Sequence, residues 1–407
     1  MTQKGAFLQP IIDIENLGLD AGAHLLVKHG LQGVLPGEDI CVVGNGPGWE
    51  AQLSAWCRSQ GHPVTLSEQD GRRVARVTRG GAEAGRWRGA MATGHADAHQ
   101  PGAVADQAHA CWGLAARGAT VEAGSPAMHF RLNQKSEVWS HSAADLYAQA
   151  VAAQWNPDVV IDWHEPFNLP DIVEDAVVQV LTYMIENEVA ALIVPARFLG
   201  QLHPHFREVQ ALLAIQIADE ARHIDVFTRR LRMKGREPAL STAGGQTSLK
   251  TLIDEPDFSV AEFLLSVLGE GTFVSLLLFL HEHAPDPVTR QIALLAARDE
   301  ARHVAFGMTH LMARLEEEPE FRTRLAQAVQ SRNDALSGTS GLNEEVFDAL
   351  ILLAAGEFTP AAIAAGYLRV QQLMLDMAEG RQTRLEKLGF SKETAQQLAA
   401  LHTRNFM

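Results

Sequence analysis

The pentapeptide Asp-Glu-Ala-Arg-His occurs twice in the chain, at residues 219–223 and 299–303, each time in alanine- and leucine-rich surroundings with no helix breaker close upstream. Segments of that composition read as buried helix. Acidic and basic side chains inside buried helices constrain the fold strongly, because an unpaired carboxylate in a protein core costs several kcal/mol. Residues three apart share a helix face. Glu220 with His223, and Glu300 with His303, are therefore two pairs of donors on one face each. Upstream of each pair lies another apolar helix holding a glutamate. Aligning "NEVAALIV" with "GEGTFVSLL" matches Glu188 to Glu270, with Glu186 as the alternative to Glu188. The offset from His203 to His223 equals that from His283 to His303, so the unit repeats as a whole. Two such hairpins packed face to face place four carboxylates and two imidazoles around one point. Two divalent cations would compensate that charge, and oxygen-rich ligands with a few imidazoles suit iron or manganese.

The predicted fold is mainly α, a four-helix bundle followed by extra C-terminal helices. Helices are expected over "DIVEDAVVQVLTYMIENEVAALIV", with Pro195 kinking or ending it, and from Pro204 to Gly235. A further helix is expected over "DFSVAEFLLSVLGEGTFVSLLLFLHEH". The fourth, from Asp286 as N-cap and Pro287 in the first turn, is roughly 45 Å long at 1.5 Å per residue. "DWHEPFNLP" reads as a loop, open to two roles: a lid over the cluster or a structural turn.

On these residues, roughly 140–310 resembles the ferritin-like di-iron carboxylate superfamily, in which a Glu from each of two helices joins a Glu-x-x-His from each of the others. It is most similar to the oxygen-activating branch, which includes multicomponent hydroxylases and ribonucleotide reductase small subunits. The resemblance implies the metal ligands Glu188, Glu220, His223, Glu270, Glu300 and His303. It also gives Asp219 and Asp299 the task of orienting the histidines across a pseudo-twofold axis, with Arg222 and Arg302 as their counter-charges. The implied cofactor is two iron ions, Fe/Fe or Mn/Fe, with O2 as co-substrate. The implied activity is a monooxygenase or oxidase acting on a small organic substrate, supplied with electrons by a ferredoxin or flavoprotein reductase, with homodimer formation a further expectation. An iron-handling ferroxidase or peroxidase, and a silent scaffold, remain the alternatives. Two subgroup markers are missing. The position of a radical tyrosine one turn after the first ligand histidine is Phe227, and the position of a hydroxyl residue one turn after the third glutamate is Val274, with Thr272 and Ser275 nearby.

Residues 1–79 read differently, as β-α-β-α-β-β, a small two-layer α+β domain. The stretch "LQGVLPGEDICVVGNGPGWEAQLSAWCRSQGHPVTLSE" resembles the TusA/SirA-type sulfur carriers. Their sulfur-bearing cysteine has no counterpart here: the matching turn reads "LDAGAH", and the nearest cysteine is Cys41. A docking or dimerisation module is the expectation that follows. Residues 80–127, rich in Gly, Ala and His, are expected to form an irregular linker, with His95, His99 and His109 as solvated loop residues, before a helical domain over 128–407. The net charge of −15 argues against nucleic-acid binding. The apolar run "FLLSVLGEGTFVSLLLFL" carries Glu270 in its middle and so reads as buried helix rather than membrane span. The three scattered cysteines and the lack of an apolar leader fit a reducing cytoplasm.

Overall fold

The structure, a computed structural model, describes residues 9–69, 71–82, 87–337 and 344–401. These form two compact units. The first comprises the described residues up to Gly94 together with Gly118–Ala127; the second comprises His95–Arg117 and the described residues from Met128 onward.

In the first unit β1 (Ile11–Asp13), α1 (Ala23–Gln32), β2 (Asp39–Val43), α2 (Trp49–Gln60), β3 (Val64–Gln69) and β4 (Arg72–Thr78) follow the order read from the sequence. The sheet runs β1-β2-β4-β3, with β1 parallel to β2 and the other pairs antiparallel. Helical spacing puts Ala23, Val27 and Leu31 on one face and Trp49, Leu53 and Cys57 on another. Both faces bury against Ile40, Val42, Ala75 and Val77. The β3–β4 turn falls at Asp70-Gly71; Asp70 lies outside the described residues, and Gly71 takes the positive φ (+75°) that this turn requires.

The segment expected as a linker is divided between the units. Met91–Ala92 (β5) pairs with Thr120–Val121 (β6) inside the first unit. Residues 95–117 belong to the second because Arg117 anchors them: the residue is 3% exposed, and its guanidinium donates to the carbonyls of His95 and His205 and to the Glu208 carboxylate. His95, His99 and His109 are exposed, and among the described residues none belongs to a group able to hold a metal.

The second unit opens with α3 (Lys135–Val138), α4 (Ala143–Ala152) and α5 (Pro157–Val160). Its body is two antiparallel hairpins, α6 (Asp171–Leu199) with α7 (Arg207–Met233), and α9 (Phe258–His283) with α10 (Pro287–Glu317), the hairpins meeting along α7 and α10. Between them runs α8 (Ala243–Ile253). α11 (Phe321–Ser337), α12 (Glu344–Ala355), α13 (Pro360–Lys387) and α14 (Lys392–Ala400) complete the unit. This is the four-helix bundle with extra C-terminal helices read from the sequence. α6 and α9 are long and apolar enough to cross a membrane, yet most of each apolar window is buried within the bundle.

Three local features depart from simple helical reading. Pro195 does not end α6, which continues through Leu199. Proline there costs one i→i−4 bond in the last turn, and burial of Phe198 in the core holds that turn in place. Within α9, Phe263–Glu270 is π-helical. The widened turn frees carbonyls, and the Val267 carbonyl accepts from Arg384 Nε at 2.7 Å. Gly271 permits this approach, since a Cβ there would lie 2.5 Å from the Arg384 guanidinium carbon. Gly307 likewise lets α10 close on the π segment, where a Cβ would meet that of Ser266 at 2.8 Å. The loop 162–170 packs on the C-terminal half of α7: Trp163 lies under Arg229, and Phe167 lies under Arg230 and Lys234. Arg230, fully buried, bridges Glu174 on α6 and Asp286 at the N-cap of α10.

Candidate metal centre

Halfway along the bundle, α6, α7, α9 and α10 direct Glu188, Glu220, His223, Glu270, Glu300 and His303 to one place, each at most 4% exposed. Their donor atoms form two overlapping groups. Glu188, Glu220, His223 and Glu300 make one, and Glu220, Glu270, Glu300 and His303 the other, with all atoms in a group within 4.8 Å of one another. Glu220 and Glu300 belong to both. Glu186 is half-buried and belongs to neither.

Both imidazoles turn Nδ1 inward. His223 Nδ1 lies 3.3 Å from Glu220, 3.4 Å from Glu188 and 3.4 Å from Glu300. His303 Nδ1 lies 3.0 Å from Glu220 and 3.4 Å from Glu300. The outer nitrogens face aspartates of the opposite hairpin: His223 Nε2 is 3.1 Å from Asp299, and His303 Nε2 is 3.4 Å from Asp219. An Nε2–H donated to an aspartate leaves Nδ1 as the free lone pair. Arg222 donates to both Asp219 and Asp299, and Arg302 donates to Asp299. Two aspartates and two arginines thus balance in charge beside the cluster.

The residues fit a pair of cations. Inside the cluster, Glu188 Oε1, both Glu220 oxygens, Glu270 Oε2, Glu300 Oε2 and His303 Nδ1 make close contacts but no well-aligned hydrogen bond. Native cores rarely leave such atoms unsatisfied. With neutral imidazoles the six residues carry four negative charges, and two divalent ions carry four positive ones. Without metal, protons take the ions' place. Burial first, and the Glu220 carboxylate second, push Glu188 up to about 8. Burial and Glu300 hold Glu270 well above the usual carboxylate range. Burial opposes charging of His223 and His303, but the surrounding carboxylates outweigh it and hold both well above the ordinary histidine value. Burial also acts to raise Asp299, yet bonds from His223, Arg222 and Trp155 hold its carboxyl well below its usual range.

Four further residues, Gln154, Trp155, Gln216 and Glu262, join the site. Gln154 Nε2 donates to Asp219 at 2.6 Å, and Trp155 Nε1 donates to Asp299 at 2.8 Å. The Trp155 indole also stacks on His223 with ring centres 6.5 Å apart, and the Arg222 guanidinium sits 4.5 Å over the indole. Gln216, one helical turn before Glu220, donates to Glu270 at 3.3 Å. Glu262, fully buried on α9 with Oε2 accepting from Ser266, is pushed up to about 7 by burial. Gln216 could have been found from its i−4 spacing to Glu220; the residues between α4 and α5 carry no periodic signal.

A cavity of about 10 Å3, lined by Asn187, Glu188, Ala191, Leu265, Phe273 and Glu300 with Glu270, adjoins the cluster. That is room for about one water-sized molecule.

No family model matches the chain, and no curated protein matches it. Among solved structures it is similar to a mutant form of an R2-like ligand-binding oxidase with an aerobically reconstituted Mn/Fe cofactor (17% identity, TM-score 0.48, covering 62% of this chain and 95% of that one). It is also similar to a protein with aldehyde deformylating oxidase activity from Synechococcus (16% identity, TM-score 0.42, 56% of this chain and 96% of that one). A third is the R2-like ligand-binding oxidase from Sulfolobus acidocaldarius (16% identity, TM-score 0.42, 62% of this chain and 92% of that one).

Proposed function

We propose that the protein is a non-haem di-iron or manganese/iron oxidoreductase that uses O2 to oxidise a small organic substrate. The observation that carries this reading is the pair of overlapping donor groups sharing Glu220 and Glu300. In it, Glu188 with His223 would hold one metal, Glu270 with His303 the other, and Glu220 and Glu300 both. When bound, the metal pair would supply the electrons and Lewis acidity for O2 reduction. The chain's own residues then have separable tasks. Asp299 and Asp219 hold the imidazoles in one tautomer and orientation. Arg222 helps keep Asp299 ionised, and Arg222 and Arg302 balance the charge of both aspartates. Leu265 and Phe273 exclude bulk water from the cavity, so a substrate larger than a few atoms must displace them.

For the first unit, docking fits its thiols better than sulfur transfer. Cys57 is fully buried and its thiol is pushed up to about 12 by burial, while Cys41 donates to Gln9. A reductase is the partner this role would serve.

The test is metal content followed by oxygen consumption. Purified protein loaded anaerobically with Fe(II) should hold about two ions per chain, and oxygen uptake with a reductant should rise with the right organic compound. Uptake that tracks added Fe(II) alone, with ferric iron accumulating on the protein, would instead establish an iron-handling protein. A metal content below one ion per chain would remove both readings.

A further inference from the structure

We propose that Arg332, Arg381 and Arg384 form a binding site for an oxyanion, the carboxylate or phosphate group of a small molecule. The three come from two helices. Arg381 and Arg384 are one helical turn apart on α13 and share a face, and Arg332 on α11 approaches them from the side. Arg381 is 6% exposed and Arg332 9%.

Every other strongly buried arginine of the second unit has acidic company. Arg230 bridges Glu174 and Asp286, Arg117 pairs with Glu208, and Arg314 pairs with Glu318. The three in question have none among the described residues. Arg384 and Arg332 both repel Arg381, and Arg384 and Arg332 reach the same stretch of α9, at the Val267 carbonyl and beside Leu264. Burial, with repulsion between neighbours, pulls the Arg381 guanidinium down to about 9.

Their donors are also largely unused. Arg332 Nη2 donates to Ser248 at 3.0 Å and Arg384 Nε donates to the Val267 carbonyl. Arg332 Nε, Arg381 Nε and Nη2, and Arg384 Nη2 have no partner among the described residues. A buried cation left unpaired destabilises a fold strongly, and here two, Arg332 and Arg381, lie with the half-buried Arg384. Guanidinium forks match carboxylate and phosphate oxygens in charge and shape. An oxyanion would satisfy both deficits at once.

Access is by way of Arg332. An open cleft of about 300 Å3 has Arg332 in its wall, beside Arg324, which pairs with Asp257, with Thr251, Gln327 and Ser331 as further polar groups and Val260 and Leu264 as apolar ones; Arg381 and Arg384 do not line it. Glu255, the acid among the lining residues, has its carboxylate engaged by the Asp257 N–H. The wall therefore suits an anionic head with a short apolar body.

Titration calorimetry of the metal-loaded full chain with inorganic phosphate and, separately, with butanoate, at constant ionic strength, tests the site. The expected result is one site per chain for at least one probe at millimolar affinity or better, and mutual competition where both bind. Heat from phosphate alone assigns a phosphate ligand, and heat from butanoate alone a carboxylate. Arg381→Met should weaken binding at least ten-fold and raise the melting temperature of the anion-free protein, by removing a buried charge that Arg332 and Arg384 repel. Arg58→Met, exposed in the first unit, should leave both unchanged. No binding of either probe to the parent chain, or parent-like binding by Arg381→Met, overturns the proposal. Should Arg381→Met fail to fold, Arg381→Lys keeps the charge and loses the fork. A ten-fold loss in that variant supports the site, and parent-like binding overturns it.

Discussion

Asp299→Asn asks how much of the candidate metal centre depends on a residue that would touch no metal. Asp299 accepts from His223 Nε2 at 3.1 Å, Trp155 Nε1 at 2.8 Å, Arg222 at 2.8 Å and Arg302. All four are donors. Asparagine offers one acceptor oxygen and an NH2 group. If the oxygen stays toward His223, the NH2 faces the Arg302 guanidinium, and the bonds that remain lose their charge assistance. Loss of such an orienting partner costs roughly 10–100-fold in metal affinity, or about 1.4–2.7 kcal/mol at 1.36 kcal/mol per decade. The loss should fall on one ion, the one held by Glu188 and His223, because Asp299 faces only that imidazole. Asp219→Asn should weaken the ion at His303 instead, and by less, since its contact to that ring is longer, at 3.4 Å. Anaerobic competition of Fe(II) or Mn(II) against a chromophoric chelator, with metal counted by mass spectrometry, resolves the two ions. Parent-like affinity at both ions in both variants would refute the orienting role and reduce the pentapeptide to its Glu-x-x-His core.

Further outcomes follow from the same geometry. Glu220→Ala or Glu300→Ala should release both metals because these residues belong to both donor groups, Glu188→Ala or Glu270→Ala should chiefly affect one, and Glu186→Ala should release none; metal counts per chain check all five. Arg230→Met strands two buried carboxylates, Glu174 and Asp286, and should cost about 3–5 kcal/mol in denaturant unfolding; a change under about 1 kcal/mol would contradict the buried bridge. His310, whose Nδ1–H donates to the Trp139 carbonyl and whose Nε2 meets the Ser259 hydroxyl, is held down at about 4 by burial. Its folded value lies below the unfolded ~6.5, so its contribution is whole above pH ~6.5 and is lost as pH falls toward 4, up to about 3 kcal/mol. Stability curves of His310→Gln and the parent that run parallel between pH 7 and 4.5 would exclude this.

What could be read from the chain was what helical periodicity alone determines. Glu220 and His223 must share a face in any α-helix, and the repeat then selects Glu188 over Glu186 by register with Glu270. Periodicity says nothing about which residues a separate segment brings to that face. Gln154 and Trp155 reach Asp219 and Asp299 from the connection between α4 and α5, where no pattern marks them. The π segment was hidden for a related reason. "FLLSVLGE" is apolar on every side, so no stripe shifts when the turn widens. The Arg332, Arg381 and Arg384 cluster combines helices far apart in the chain and looks, in sequence, like ordinary solvated charge. Pro195 does not end α6, because the cost of one lost bond is small beside the burial that retains its last turn.

The bracing of the imidazoles across the pseudo-twofold axis carries a consequence for how such a chain can be divided. His223 depends on an aspartate from the second hairpin, and His303 on one from the first. A single hairpin would present a Glu-x-x-His pair whose ring is free to spin and to take either tautomer. Two copies in trans would complete each other, as would two in cis, so the smallest competent assembly is a pair, whether or not a peptide joins them. Each copy of the pentapeptide serves its neighbour's histidine as well as its own glutamate, and for that reason the two copies can read alike, letter for letter.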